Sequence, residues 1–159
     1  MKFGYRMNAP HWHLAMNHLP VVGMLFGTGL LVFASWRKGE ELIRTALGFL
    51  VIVALTAVPV FLTGEPAEKA IMEDAGFVEA LANAHEQAAT VAFTAVLIVG
   101  AVALAGLLFF RKAPALPNWL KWVVLGLALA ATALLGWTAN LGGKIRHPEV
   151  RAETESVPG

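Results

Sequence analysis

Four stretches of this chain carry no Asp, Glu, Lys, Arg or His: residues 19–36, 45–63, 87–110 and 122–143, each 18 to 24 residues long. An α-helix rises about 1.5 Å per residue, so about 20 apolar residues cross the hydrocarbon core of a bilayer. The four stretches therefore predict four transmembrane helices. Only 14% of the 159 residues are charged, against about 25% in a soluble domain, and the charge sits at the joints between the stretches. A soluble globular enzyme, a secreted disulfide scaffold and a nucleic-acid binder are excluded on that ground. The expected fold is all-α: an integral membrane four-helix bundle, up-down-up-down, forming one domain over residues 1–150 with a disordered polar tail at 151–159. The first apolar run is followed by no Ala-x-Ala pattern, and it is read as a retained span.

The absence of cysteine removes disulfides, thiolate metal sites, iron–sulfur clusters and covalent c-type haem. A net charge of +1 gives no reason to expect an anionic macromolecular partner.

The joints are short, with one exception. Residues 37–44 and 111–121 make tight turns, the second blocked from helix continuation by Pro114 and Pro117. Residues 64–86 form a longer acidic loop, in which Ile71, Phe77, Val78 and Leu81 are spaced to make one stripe of a short amphipathic helix on the membrane surface. Pro59 is expected to kink the second span and free a backbone carbonyl there. Apart from the alternation of spans, the sequence shows no repeat.

Lys and Arg set the orientation. The two short loops hold Arg37, Lys38, Arg44, Arg111, Lys112 and Lys121, whereas the long loop holds only Lys69. Both termini are thus expected outside, in a bacterial inner membrane. Trp12 and Trp137 fall near the outer boundary and Trp36, Trp119 and Trp122 near the inner one, as aromatic belts require.

The five histidines are the chemically informative residues. His11, His13 and His18 precede span one, His85 opens span three and His147 follows span four. In an up-down bundle these positions share one end. Neutral imidazole is the commonest metal ligand and the usual axial ligand of b-type haem, and bundles build such sites from facing helices.

His18 and His85 make the best axial pair, because each lies beside an uncharged run; His147 could replace either. Ala88, Ala92 and Ala95 below His85 and Gly23, Gly27 and Gly29 below His18 would leave room for a macrocycle, and Arg146, Lys144 or Arg6 could pair with its propionates. A single zinc, copper or iron ion on His18, His85 and His147 with Glu65 is the alternative. The plainer alternative is that these are interfacial histidines bonded to backbone or lipid headgroups. His11 and His13, alternating around Trp12, are read as surface residues. No ionisable group lies in mid-span, which argues against a carrier or pump, and no nucleophile–base pair argues for hydrolysis.

Four segments resemble a known pattern: residues 13–20 (HLAMNHLP), 63–68 (TGEPAE), 84–86 (AHE) and 139–147 (ANLGGKIRH). Together they resemble an uncharacterised family of small bacterial four-helix predicted membrane proteins, which open with a His…His-Phe-Pro type motif and close span four with Gly-Gly. The resemblance covers residues 11 to 149. Leu19 stands where the family pattern has an aromatic residue. It implies that His18, Pro20, Glu65, His85, Gly142, Gly143, Arg146 and His147 are the positions to watch, and some related domains occur beside cytochrome modules.

These readings converge on an expected function. The chain would be a membrane electron-transfer subunit that binds b-type haem, or a metal, at the outer face. It would work inside a larger respiratory or photosynthetic complex and exchange electrons with a quinone or a periplasmic cytochrome. The competing expectation is a non-redox accessory subunit of a larger membrane complex.

Overall fold

The computed structural model describes residues 9–72 and 77–147. They form α1 (Ala9–Met16), α2 (His18–Arg37), α3 (Glu40–Lys69), α4 (Glu79–Phe109) and α5 (Asn118–Arg146), with no strand among the described residues. Taking α1 with α2, four helical stretches are long and apolar enough to cross a membrane. Both α2 and α4 pack on α3 and on α5, which closes a ring of four. The chain is a multi-pass four-helix bundle, as the charge-free stretches predict.

Each long helix buries residues at alternating spacings of three and four. On α2 these include Pro20, Met24, Gly27, Leu31 and Ala34; on α4 they include Ala92, Val96, Val99, Ala103 and Gly106. This is the seam of a left-handed bundle. Small residues fill much of the seam, whereas large ones such as Leu25, Phe26, Leu55 and Phe109 point outward. In lipid, where no hydrophobic force drives helices together, close approach of backbones supplies the packing. Gly100 shows how close. A Cβ placed there would lie 2.4 Å from the Cβ of Ala54 on α3.

Two side-chain contacts tie the helices further. The rings of Phe61 and Phe93 stack at 4.3 Å between α3 and α4. Thr28 and Thr132 meet at 3.1 Å between α2 and α5. The Thr132 hydroxyl donates to the Ala128 carbonyl, so Thr28 is the donor to Thr132.

At one end of the bundle the connections are short. α2 turns into α3 through Lys38 and Gly39, and Lys38 takes a left-handed conformation with φ of 53°. Its N–H and that of Gly39 close the last turn on the Ser35 and Ala34 carbonyls. A β-carbon in that conformation costs about 1 kcal/mol, so Lys38→Gly is expected to stabilise the protein by about that amount. Thermal melts in detergent would show it as a raised midpoint.

The other short connection, residues 110–117, is fastened to the start of α3. Arg44 Nε pairs with Glu40 Oε1 at 2.8 Å. The Arg44 guanidinium also donates to the carbonyls of Phe110 (3.3 Å) and Ala113 (3.0 Å). Glu40 Oε1 in turn accepts the Leu116 N–H at 2.9 Å.

Two features of the fold depart from the sequence reading. α1 was not foreseen. It breaks from α2 at Asn17 because Pro20 has no N–H for the Met16 carbonyl, while the Asn17 N–H still bonds the His13 carbonyl at 2.9 Å.

The separate amphipathic helix between spans two and three is absent among the described residues. Its helical residues belong to α3, which runs to Lys69, and to α4, which starts at Glu79. Extending an existing helix needs no new nucleus, whereas a separate short one does.

Pro59 and Pro66 both lie inside α3 and withhold donors from the Leu55 and Leu62 carbonyls. The nearby bond from a histidine goes instead to Val60. The tail at 151–159, Lys2, Arg6, Glu73 and Asp74 lie outside the described residues.

Candidate functional site

All five histidines lie at the end opposite the short connections: three on α1 or the start of α2, one in the second turn of α4, one just after α5. Two of them are half-buried, His13 and His85. Following the buried spacing of each helix toward this end explains which. On the first helical stretch, Gly27, Met24 and Pro20 lead back to Asn17 and His13. On α4, Val99, Val96 and Ala92 lead to Ala89 and His85. On α3 the same spacing reaches Val60 and Gly64, and on α5 it reaches Thr138 and Gly142. The last layer of the seam is thus two histidines alternating with two glycines.

The contacts agree. His13 Nδ1 lies 3.2 Å from the Val60 carbonyl and 3.2 Å from Thr63 Oγ1. Thr63 gives its own hydrogen to the Pro59 or Val60 carbonyl, so both partners of Nδ1 are acceptors and Nδ1 carries the proton. Gly64 lies alongside, where a Cβ would stand 3.7 Å from His13 Cε1.

His85 repeats the construction. Its Nδ1 donates to the Thr138 carbonyl at 3.0 Å, and the ring sits over Gly142, where a Cβ would come within 3.1 Å of Cε1. In both cases acceptor and glycine are four residues apart. The tautomer fixed this way leaves each Nε2 with a free lone pair. The two imidazoles also lie within range of each other's charge.

Asn17, one turn along from His13, adds a third acceptor. Its Oδ1 is buried and takes no hydrogen bond. A buried acceptor without a donor costs about 1–3 kcal/mol, and such exceptions cluster where something else binds. The end of the bundle therefore presents electron pairs, two imidazole nitrogens and an amide oxygen, and suits an electron-pair acceptor such as a transition-metal ion, free or in haem.

The other expected site residues are placed differently. His18 is exposed, and its Nδ1 lies 3.3 Å from the Leu14 carbonyl of its own helical stretch. One residue past Asn17, it stands about 100° off the buried face. His147 is exposed at the end of α5. Glu65 is exposed and paired with Lys69 on the same helix, an arrangement of little energetic weight. Arg146 ends α5. Among the described residues, no three of His, Asp and Glu converge in a metal site.

The sequence points to His85, whereas the expectation that His13 lies at the surface is corrected: its ring is half-buried and bonded to α3. The signal for His13 was the three-and-four spacing itself, carried back past Pro20.

Fold and site together define a class: a four-span membrane bundle closed at one end by paired, tethered imidazoles. Comparison with protein-family models, with curated proteins and with solved structures finds no match to this chain.

Proposed function

We propose that this protein is a small membrane electron-transfer subunit that would hold b-type haem at its histidine end through the imidazoles of His13 and His85. The observation that carries this reading is the pair of imidazoles whose Nδ1–H groups are each spent on a backbone carbonyl while each Nε2 stays free. Ligating histidines almost always donate their other ring nitrogen in this way, which fixes the ring and raises its basicity. The donor set suits the group: two imidazoles tethered through Nδ1, no carboxylate in the layer among the described residues, and glycines beside both rings.

Bound there, haem supplies one-electron exchange. The chain's own residues do the rest. Val60, Thr63 and Thr138 hold the rings in one tautomer and one orientation. The apolar layers beginning at Pro20, Ala57, Ala92 and Leu135 exclude water from below. Lys144, in the last turn of α5, is a cation that would meet the propionates.

The setting follows the positive-inside rule: a bacterial inner membrane, the histidine end outside, and a quinone or periplasmic cytochrome as redox partner within a larger complex. Asn17 favours one second reading, a bare zinc, copper or iron ion on His13, His85 and Asn17 Oδ1.

The test is an oxidised and a reduced absorption spectrum, with metal analysis, of protein purified gently from membranes. About one haem per chain is expected, lost in His13→Ala and in His85→Ala but kept in His18→Ala and His147→Ala. Metal without haem would select the second reading. Neither would overturn both and leave an accessory subunit.

A further inference from the structure

The construction shared by His13 and His85 extends through the whole bundle. A shift of 72 positions carries His13 onto His85, and it carries all six buried residues of α2 onto buried residues of α4. Met24 falls on Val96, Thr28 on Gly100 and Ala34 on Gly106, and the last residue of α2, Arg37, falls on the last of α4, Phe109.

A shift of 78 relates the returning helices in the same way at five of the eight buried residues of α3, whereas Ile43, Ala54 and Ala67 fall on the partly buried Lys121, Thr132 and Ile145. The shift carries Val60 onto Thr138, Gly64 onto Gly142, and the first residue of α3, Glu40, onto the first of α5, Asn118. Ala46, Leu47, Leu50, Val53 and Ala57 all fall on buried residues of α5. The two shifts differ because residues 110–117 connect the second pair of helices, whereas Lys38 and Gly39 alone connect the first.

One contact between the halves follows the same exchange, although the Phe61–Phe93 stack has no counterpart, its positions being Ala139 and Val21. The Thr28–Thr132 bond joins α2 to α5. Applying the shifts turns it into Gly100 against Ala54, which is the close contact between α4 and α3. A two-fold axis along the bundle would produce this pairing of seams, as it does for parallel repeats in transporters. Few residues are identical between the halves, so the sequence alone hides the repeat that burial shows.

We propose that this chain is two copies of one histidine-bearing helical hairpin joined end to end. Its site then lies on the axis between them, each half giving one equivalent Nε2 to a transition-metal ion, free or in haem. The site part rests on the reading of His13 and His85 as ligands; the duplication does not. Beside the site the halves differ in side chains that bear on polarity: Asn17 and Thr63 in the first stand where the second has Ala89 and Leu141, and Val60 stands where it has Thr138.

Two measurements on the full chain separate the parts. First, a protease site is placed in the connection between α3 and α4, and the folded, detergent-purified protein is cut there. The halves are expected to co-elute with unchanged helicity, since each closes the other's seam; separation of the halves would overturn the duplicated-hairpin proposal.

Second, protein stripped of bound groups is titrated with hemin and, separately, with Cu(II), read by absorbance and by paramagnetic resonance. Two equivalent nitrogens are expected in the intact chain, one with copper and no hemin uptake in His13→Ala or His85→Ala, and two again in the symmetrised Asn17→Ala/Thr63→Leu variant. Copper bound without hemin keeps the shared site and removes the haem reading. Binding that survives loss of either histidine unchanged, or neither probe binding to intact chain, overturns the shared site.

Discussion

Gly100→Ala is expected to cost about 2 kcal/mol, overpacking less the helix gain of alanine, and Gly106→Ala almost nothing, although in both the added methyl meets an atom 2.4 Å away. The difference lies in what is met. At Gly100 the obstacle is the Cβ of Ala54, which is fixed to the backbone of α3, so it can retreat only if the helices part. Overpacking of that kind costs about 1–3 kcal/mol, and it falls here on a contact through which two helices cohere in lipid. At Gly106 the obstacle is Cδ2 of Leu120, the free end of a flexible side chain. A rotamer change there is offset by the gain of about 1 kcal/mol when alanine replaces glycine inside a helix. Unfolding in a denaturing detergent, followed by circular dichroism, separates the two. Equal midpoints would show that the halves pack more loosely than the Gly100–Ala54 contact demands.

Arg44→Ala is expected to be the most damaging change at the short-connection end, by about 2 kcal/mol. The side chain is partly exposed, 25%, so its ion pair with Glu40 counts for little by itself. The weight lies in the hydrogen bonds to the Phe110 and Ala113 carbonyls, which close the chain after α4; bonds from a charged donor contribute about 1.5–3 kcal/mol. Arg44→Lys keeps the charge but not the planar fork, and it should recover less than half of the loss. Arg37→Ala, on an exposed residue without such bonds, serves as the control and should lie within about 0.5 kcal/mol of the parent. A melt in which Arg37→Ala and Arg44→Ala shift alike would refute this account.

How much could be read from the sequence depended on how local the cause was. The four spans follow from runs of uncharged residues, each visible in one window, and they were legible. Their ends were less so, because Glu40, Glu65 or Glu79 continues a helix once the apolar part has nucleated it. α1 escaped notice because Pro10, His11 and His13 interrupt its apolar residues, and what seats it is a bond from His13 to α3. Of the site, His85 was legible from its place beside an uncharged run. His18 looked equally good by that measure, yet helical phase turns it outward. His13 is held by Val60 and Thr63, 47 and 50 residues away, and only the spacing of buried positions on the next helix predicts such a meeting. The repeat was hidden for a related reason: selection for volume at a buried position accepts Met24 and Val96 as equivalents, whereas identity counting does not.

The layer of two imidazoles and two glycines has a consequence for any charge it handles. Below it, each seam continues through apolar layers in which the Thr28–Thr132 pair is the one interhelical polar contact among the described residues. That is about 30 Å of insulator for 20 helical residues. On the proposed reading, an electron accepted at the histidine end would have to leave by the same face, because among the described residues no charged side chain lies in the layers underneath. Such a device moves no net charge through the membrane field, so the roughly 2.3 kcal/mol that 100 mV imposes on a crossing charge neither drives it nor opposes it. In a respiring membrane it would keep working at full voltage and contribute nothing to that voltage.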